Sequence, residues 1–249
     1  MIKLIACDLD GTLLPRGEKR LSAEIENKIK SAVSIGTHFA VISGRDYPSL
    51  CRVFDFRSDE IYYVCCGGSV CIKGGKTLYS KPVTVESVIA AIKASKQSGK
   101  GLVLCSDKVV YVYGSPNFVS FVKNIYGDDA VEIKCNRGVV SPIYKISFYG
   151  DEGESSLEPN ALGLKLFYNR NGWEEYVSRI AGKAEAFSDL RMRLSVLASE
   201  TIAAGDDLCD VGMLSKAGKA FAFTREAAEA SGAEYITDPK RIFDAVDVN

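Results

Sequence analysis

Residues 7–14 read Cys-Asp-Leu-Asp-Gly-Thr-Leu-Leu and follow directly on the apolar run Ile2–Ala6. The run predicts a strand, and Gly11 has the conformational freedom to end it in a sharp turn. Side chains alternate faces along a strand, so Asp8 and Asp10 project the same way only while the strand persists. Two carboxylates gathered at an open strand end repel unless a cation or a proton intervenes. A hard divalent ion answers that need, because Mg2+ is commonly held by one or two carboxylates together with substrate phosphate oxygens. Asp-Gly-Thr alone is equally an ordinary surface turn, so the meaning of the stretch depends on the rest of the chain.

Downstream, strand and helix signals alternate. Ser22 can cap a helix whose apolar residues Ile25, Ile29, Ala32 and Val33 follow a helical period, and Gly36 ends it. Phe39–Ile42 is a short continuous apolar run, as in a strand covered on both faces of a parallel sheet. A helix near Pro48–Phe54 and a strand over Ile61–Cys65 follow. Such alternation argues for a doubly wound, mainly parallel α/β fold. Lys73-Gly74-Gly75-Lys76 then joins two strand-like runs as a hairpin, and Lys81-Pro82 reads as a linker into a different pattern. That pattern comprises a helix (Val85–Ala94), a strand pair (Leu102–Cys105 and Val109–Tyr113), a helix (Phe118–Ile125) and strands at Tyr144–Tyr149 and Leu162–Tyr168. Asp151–Asn160 reads as an acidic surface loop, and residues 173–181 fit either strand or helix. After Lys183 the alternation resumes, with helices over 184–195, 208–215 and 225–231 and strands over Thr201–Ala204 and Ala220–Phe223. The expected division is a core domain of residues 1–81 and 183–249 with an inserted α+β domain over 82–182.

Composition narrows the function class. The 249 residues carry a net charge of −1, which gives no electrostatic case for nucleic acid or an anionic membrane as partner. No apolar run approaches the roughly 20 residues that span a bilayer. The chain opens on a strand rather than a signal peptide, which predicts a cytoplasmic protein. The eight cysteines lack the paired spacing of a zinc site and fall mostly in apolar runs, as reduced, buried thiols do. The single histidine, His38, heads an apolar run and reads as structural.

Three more candidate groups follow, two of them at strand ends like Asp8 and Asp10 and one at the start of a helix. Ser43, in Val41-Ile42-Ser43-Gly44-Arg45, ends the second strand, where open α/β sheets bind ligands and a hydroxyl can donate to phosphate. Arg45 could contact phosphate or solvent equally well. Lys183 opens a helix and offers a mobile positive charge. Gly205-Asp206-Asp207-Leu208-Cys209-Asp210 follows the apolar Ile202–Ala204; its acids can complete a metal site with Asp8 and Asp10, or cap a helix.

Asp-x-Asp-Gly-Thr, a strand-end Ser, a Lys and Gly-Asp-x-x-x-Asp occur here in the order of the haloacid dehalogenase (HAD) superfamily, which the whole chain resembles. Lys183 precedes Asp206 by 23 positions, and Asp210–Gly218 reads DVGMLSKAG. Both are similar to the Cof-like branch with a type IIB cap inserted between the second and third motifs. The resemblance implies a Rossmann-like HAD core and a Mg2+-dependent phosphatase acting on small phosphorylated metabolites such as sugar phosphates. Asp8 would be the nucleophile that forms an aspartyl-phosphate, and Asp10 the general acid and base. Lys183, Ser43, Gly44, Arg45 and the backbone near Thr12 would bind phosphate. Mg2+ would be held by Asp8, the Asp10 carbonyl and Asp206, with Asp210 in support. Two departures stand out: Cys209 occupies a position that is usually Asn, and Cys66-Gly67 replaces an Asn-Gly. Cysteine lacks the amide's donor and acceptor pair, so substrate binding at Cys209 is altered in kind. A phosphomannomutase-like mutase is the runner-up, and a catalytically weakened HAD-like binding protein the non-enzymatic alternative. A monomer is the default assembly, with a dimer the alternative.

Overall fold

The structure, a computed structural model, describes residues 1–54, 59–151 and 156–246. Its backbone forms two sheets. The first is built from β1 (Leu4–Cys7), β2 (His38–Ile42), β3 (Ile61–Cys65), β4 (Val70–Lys73) and β5 (Lys76–Ser80), together with strands from the far end of the chain. The second contains β6 (Gly101–Cys105), β7 (Val110–Tyr113), β8 (Ala130–Glu132), β9 (Lys145–Tyr149), β10 (Leu164–Arg170) and β11 (Trp173–Ser178). The chain then returns to the first sheet with β12 (Thr201–Gly205), β13 (Lys219–Ala222) and β14 (Glu234–Tyr235), giving the order β14-β13-β12-β1-β2-β3-β4-β5. All pairings from β14 to β3 are parallel, and the β3-β4-β5 edge is antiparallel.

Both faces of the first sheet are covered, which is why its strands are continuous apolar runs. Ile5, Phe39, Val41 and Ile202 pack against Ile25 and Ile29 of α1 (Ala23–Ser34) and against Ile242 and Phe243. Leu4, Ala6, Ala40 and Ala203 face Phe187 and Leu190 of α5 (Lys183–Arg193), Met213 of α6 (Val211–Leu214) and Ala227 of α7 (Arg225–Ser231). The parallel sheet with helices on both faces is the expected Rossmann-like α/β core. Ser22 caps α1, its hydroxyl accepting from Ile25 N. Asp46 caps α2 (Tyr47–Cys51), a shorter helix than the sequence suggests.

The second sheet, in order β10-β11-β9-β6-β7-β8, is antiparallel apart from β7-β8. Alternation along its strands divides its residues between two environments. Leu102, Leu104, Ile146, Phe148 and Tyr176 pack with Val88 and Ala91 of α3 (Val85–Ser98). Val103, Val110 and Val112 lie instead in a cluster with Phe118, Val119 and Val122 of α4 (Pro116–Tyr126).

Some local expectations change. Residues 173–178 are strand, fixed by antiparallel partners on both sides. The helix expected over 208–215 is a 3-10 turn, Leu208–Asp210, running into the single-turn α6. The short edge strands β8 and β14 carry too few residues for a periodic signal. Part of the expected loop Asp151–Asn160, residues 152–155, lies outside the described residues. Leu157, by contrast, is buried in the second-sheet core, so this stretch is not surface throughout. His38 is half-buried and packs edge-on against Tyr62, in keeping with a structural role.

Candidate active site

Asp8, Ser43, Cys66 and Asp206 follow immediately after β1, β2, β3 and β12, which are neighbours in the sheet. The carboxyl edge of the first sheet therefore concentrates all four on one side, where ligands of open α/β sheets bind. Asp8 remains fastened to β12, its N–H donating to Ala204 O at 2.8 Å. The chain then folds back on itself: Thr12 N and Leu14 N both donate to Leu9 O. Gly11, at φ +83°, lies so close to Asp206 that a Cβ there would stand 2.2 Å from Oδ2. Any side chain at this turn would displace an acid of the site.

Carboxylate oxygens of Asp8, Asp206 and Asp210 lie within 4.8 Å of one another, and all three residues are buried. Lys183, from the first turn of α5, reaches into this group; its Nζ stands 2.9 Å from Asp8 Oδ1 and 2.7 Å from Asp210 Oδ1. Asp210 is spoken for on its other side too, since Oδ2 accepts from the backbone of Asp206 and Asp207. It holds the loop and the lysine. Asp206 takes one guanidinium contact, from Arg16 at 3.2 Å.

Three acids facing one buried ammonium and one guanidinium at the rim leave a surplus of negative charge out of water. Burial pushes the Asp8 carboxyl well above the usual carboxylate range, and Lys183 only partly opposes the shift, to which Asp210 and Asp206 add. Burial likewise raises Asp206. Converging hard oxygen donors with uncompensated charge are what a divalent cation such as Mg2+ needs, so the donor set fits that ion. Thr12 is buried nearby in sequence, and its hydroxyl has no hydrogen-bond partner.

The remaining sequence candidates are placed unequally. Asp10, Ser43, Gly44, Arg45 and Cys209 line one cavity of about 640 Å3 together with Asp8, Lys183 and Asp206. Thr12 and Asp210 do not line it. The expectation that Asp8 and Asp10 pair needs correction. β1 stops at Cys7, and Asp10 turns outward, half exposed, into a two-point ion pair with Arg45 (2.8 and 2.6 Å). Its carboxylate is not part of the converging group. Arg45 in turn neither faces solvent alone nor sits free for phosphate. The Ser43 hydroxyl is buried and accepts from Arg45 N at 3.2 Å, which leaves its own proton to donate. Cys209 is an exposed thiol at the rim.

Cys66, where the sequence departs from Asn-Gly, has φ +51°, and Gly67 follows at φ +64°. Asparagine tolerates this left-handed region better than cysteine does. At Gly67 the close neighbour is the Phe167 ring, 2.7 Å from where a Cβ would lie.

Sequence reasoning missed the far wall of the cavity. The second sheet contributes Lys145, Ser147 and Glu175, and the rim Arg16, Phe167 and Arg170. Register places Glu175 opposite Ser147, with Lys145 two positions along the same strand face. Lys145 Nζ donates to Glu175 Oε1 (2.7 Å) and, across to the first sheet, to Gly44 O (2.9 Å). Burial disfavours its charge, but Glu175, joined by Cys105, Cys66 and Tyr126, overcomes that penalty and holds the ammonium well above its usual range. A signal existed: in Lys-Ile-Ser-Phe, polar and apolar residues alternate inside a core strand, and only a site or a partner justifies a lysine there.

Comparison with known proteins agrees with this architecture. The haloacid dehalogenase-like hydrolase family matches residues 5–246. Phosphatase YwpJ of Bacillus subtilis (strain 168) is 25% identical over 259 aligned positions, covering 89% of each chain. A solved structure from Eubacterium rectale superposes with a TM-score of 0.83 at 24% identity, over 97% of this chain and 96% of that one. The HAD subclass IIB sugar phosphatase BT4131 superposes with a TM-score of 0.72 at 17% identity, over 95% and 94%. With Asp8, Ser43 and Asp206 at strand ends on one sheet edge, Lys183 reaching them from α5 and residues 5–246 matched, the chain belongs to the haloacid dehalogenase-like hydrolases.

Proposed function

We propose that this protein is a Mg2+-dependent phosphatase that hydrolyses small phosphomonoesters through an aspartyl-phosphate on Asp8. One observation carries the reading: the buried Asp8 carboxylate, held by Lys183, converges with Asp206 and Asp210 at the strand-end cavity that Ser43 also lines. The curated relative YwpJ, a phosphatase, supports it.

Asp8 attacks phosphorus, and its carboxylate carries the phosphoryl group, dividing one difficult displacement into two. Lys183 fixes Asp8 and, with Ser43 and the backbone around Thr12 and Gly44, binds the phosphoryl oxygens as charge builds on them. Asp10 protonates the departing alkoxide and then takes a proton from the water that releases phosphate. Its exposed position and its pairing with Arg45 suit a group that must reach the leaving oxygen from the rim. Asp8, Asp206 and the Asp10 carbonyl would hold Mg2+, with Asp210 positioning Lys183 and the Asp206 loop. The ion supplies charge neutralisation between an anionic nucleophile and an anionic ester. Residues 1–81 and 183–249 act as the core domain and 82–182 as the cap that closes the cavity. Cys209, where relatives usually carry Asn, contributes an exposed thiol to the substrate rim in place of an amide. The placement of most of the cysteines in buried apolar strands suits thiols kept reduced in a compartment such as the cytosol.

The experiment is phosphate release from p-nitrophenyl phosphate with Mg2+, with EDTA, and with Asp8→Asn protein. The expected result is metal-dependent release that the substitution reduces at least about 10^4-fold. Near-normal turnover by folded Asp8→Asn protein would overturn the assignment of the nucleophile, and no release by the wild type would overturn the phosphatase reading.

A further inference from the structure

The cavity wall opposite the acids poses a charge problem that the chemistry at Asp8 does not use. Five cations line the cavity, and each already holds a carboxylate: Lys183 with Asp8, Arg16 with Asp206, Arg45 with Asp10, Arg170 with Asp207 and Lys145 with Glu175. Asp46 adds a further buried acid, committed to Ser49. A second anionic group on a substrate therefore finds no unpaired cation among the described lining residues.

Glu175 is the acid best placed to act on that account. Its Oε1 takes both the Lys145 ammonium (2.7 Å) and the Ser147 hydroxyl (3.0 Å), while Oε2 takes no hydrogen bond from the described residues. The side chain is only 15% exposed, and that exposure is to the cavity. The Lys145 ammonium has three protons; one goes to Glu175 and one to Gly44 O, the residue after Ser43. An open carboxylate oxygen beside an uncommitted ammonium proton matches two neighbouring hydroxyls, one donating and one accepting. The same carboxylate opposes a carboxylate or second phosphate, because like charges repel, and more strongly beside a side chain that is itself largely buried.

Resting on the phosphatase reading, we propose that Glu175, positioned by Lys145 and Ser147, is the specificity-determining residue for the leaving group. It accepts an uncharged, polyhydroxylated alcohol and rejects one that bears a second anion. The selection is a difference between two affinities, and its repulsive component carries most of it.

A matched pair of esters tests this: sorbitol 6-phosphate and 6-phosphogluconate, which differ only in a terminal hydroxymethyl or carboxylate. With Mg2+, the wild type is expected to favour sorbitol 6-phosphate at least tenfold in kcat/KM. Glu175→Gln is expected to shrink that ratio about tenfold, mainly through KM. A wild-type ratio near one or reversed overturns the proposal without any variant, so it stays testable even if Glu175→Gln fails to fold. An unchanged ratio in folded Glu175→Gln also overturns it, as does hydrolysis of p-nitrophenyl phosphate with neither polyol ester accepted. No release from any of the three esters instead overturns the phosphatase reading, and this inference with it.

Discussion

Two buried carboxylate sites in this molecule are solved in opposite ways. At the carboxyl edge of the first sheet, Asp8 and Asp210 share one ammonium and Asp206 has a single contact from the exposed Arg16, and burial wins: the Asp8 and Asp206 carboxyls are pushed up. On the α3 side of the second sheet, Glu174 is nearly as buried, and burial works in the same direction there. It is outweighed by the Ser156 hydroxyl and N–H and the Tyr176 hydroxyl, with Lys100 3.7 Å away, and the carboxyl is held below its usual range. A carboxylate with a full set of donors is part of the scaffold. A group left short of donors is stabilised only when something else arrives, and that shortage marks the functional site.

The contrast can be broken most severely at Lys183. Lys183→Met preserves the volume and removes the buried cation that Asp8 and Asp210 share, leaving only the exposed Arg16 on Asp206. The expected loss is about 3–5 kcal/mol of stability near neutral pH, as when one partner of a buried pair is removed. Phosphate release should fall by about 10^2-fold or more. Thermal denaturation and turnover measured on one preparation check both, and a variant that keeps wild-type values in each would contradict the charge account.

Adding Mg2+ should have the opposite effect. With Mg2+ at about 100 times its Kd, mass action stabilises the folded state by ~2.7 kcal/mol. A chain of this size should then melt some 5–10 °C higher. Asp206→Asn should abolish the shift, whereas Glu174→Gln should leave it intact; a shift that survives Asp206→Asn would place the ion elsewhere.

The smallest effects should differ in sign. In metal-free protein, Asp8→Asn removes one of three crowded acids and should raise the melting temperature slightly. Glu174→Gln removes a satisfied carboxylate and should cost about 1–2 kcal/mol. The acid limb follows from the Glu174 shift. Because its folded value lies below the unfolded one, near 4.3, its contribution is complete above that pH and is lost as pH falls through the folded value. Wild type should therefore lose stability below about pH 4 more steeply than Glu174→Gln in urea titrations at stepped pH, and parallel curves would sink the assignment.

The first-sheet half of this contrast was legible in the sequence. Asp8, Lys183 and Asp206 sit at strand or helix ends, where an apolar run stops (at a glycine for Lys183 and Asp206), and that local signal survives folding. Asp10 was misplaced because alternation holds only within a strand, and β1 ends before it. The second-sheet half was hardly legible. Lys145, Ser147 and Glu175 become a site only through the register of β9 against β11, which no local pattern encodes. The same holds for Glu174, whose partner Ser156 lies in a stretch that reads as surface loop.

The close passage of the chain at Gly68 has an architectural consequence. A Cβ there would lie 2.2 Å from Gly182 O, and Lys81 N bonds the adjoining Ser69 O at 2.7 Å. The exit to the second sheet and the return from it thus abut the same turn. The intervening hundred or so residues form a cassette whose two ends meet, the arrangement in which insertion and excision disturb a host least. A short bridge from Lys81 to Gly182 would leave every strand pairing of the first sheet in place. The far wall of the cavity, with Lys145, Ser147 and Glu175, could then be exchanged between relatives without rebuilding the strand ends that carry Asp8 and Asp206.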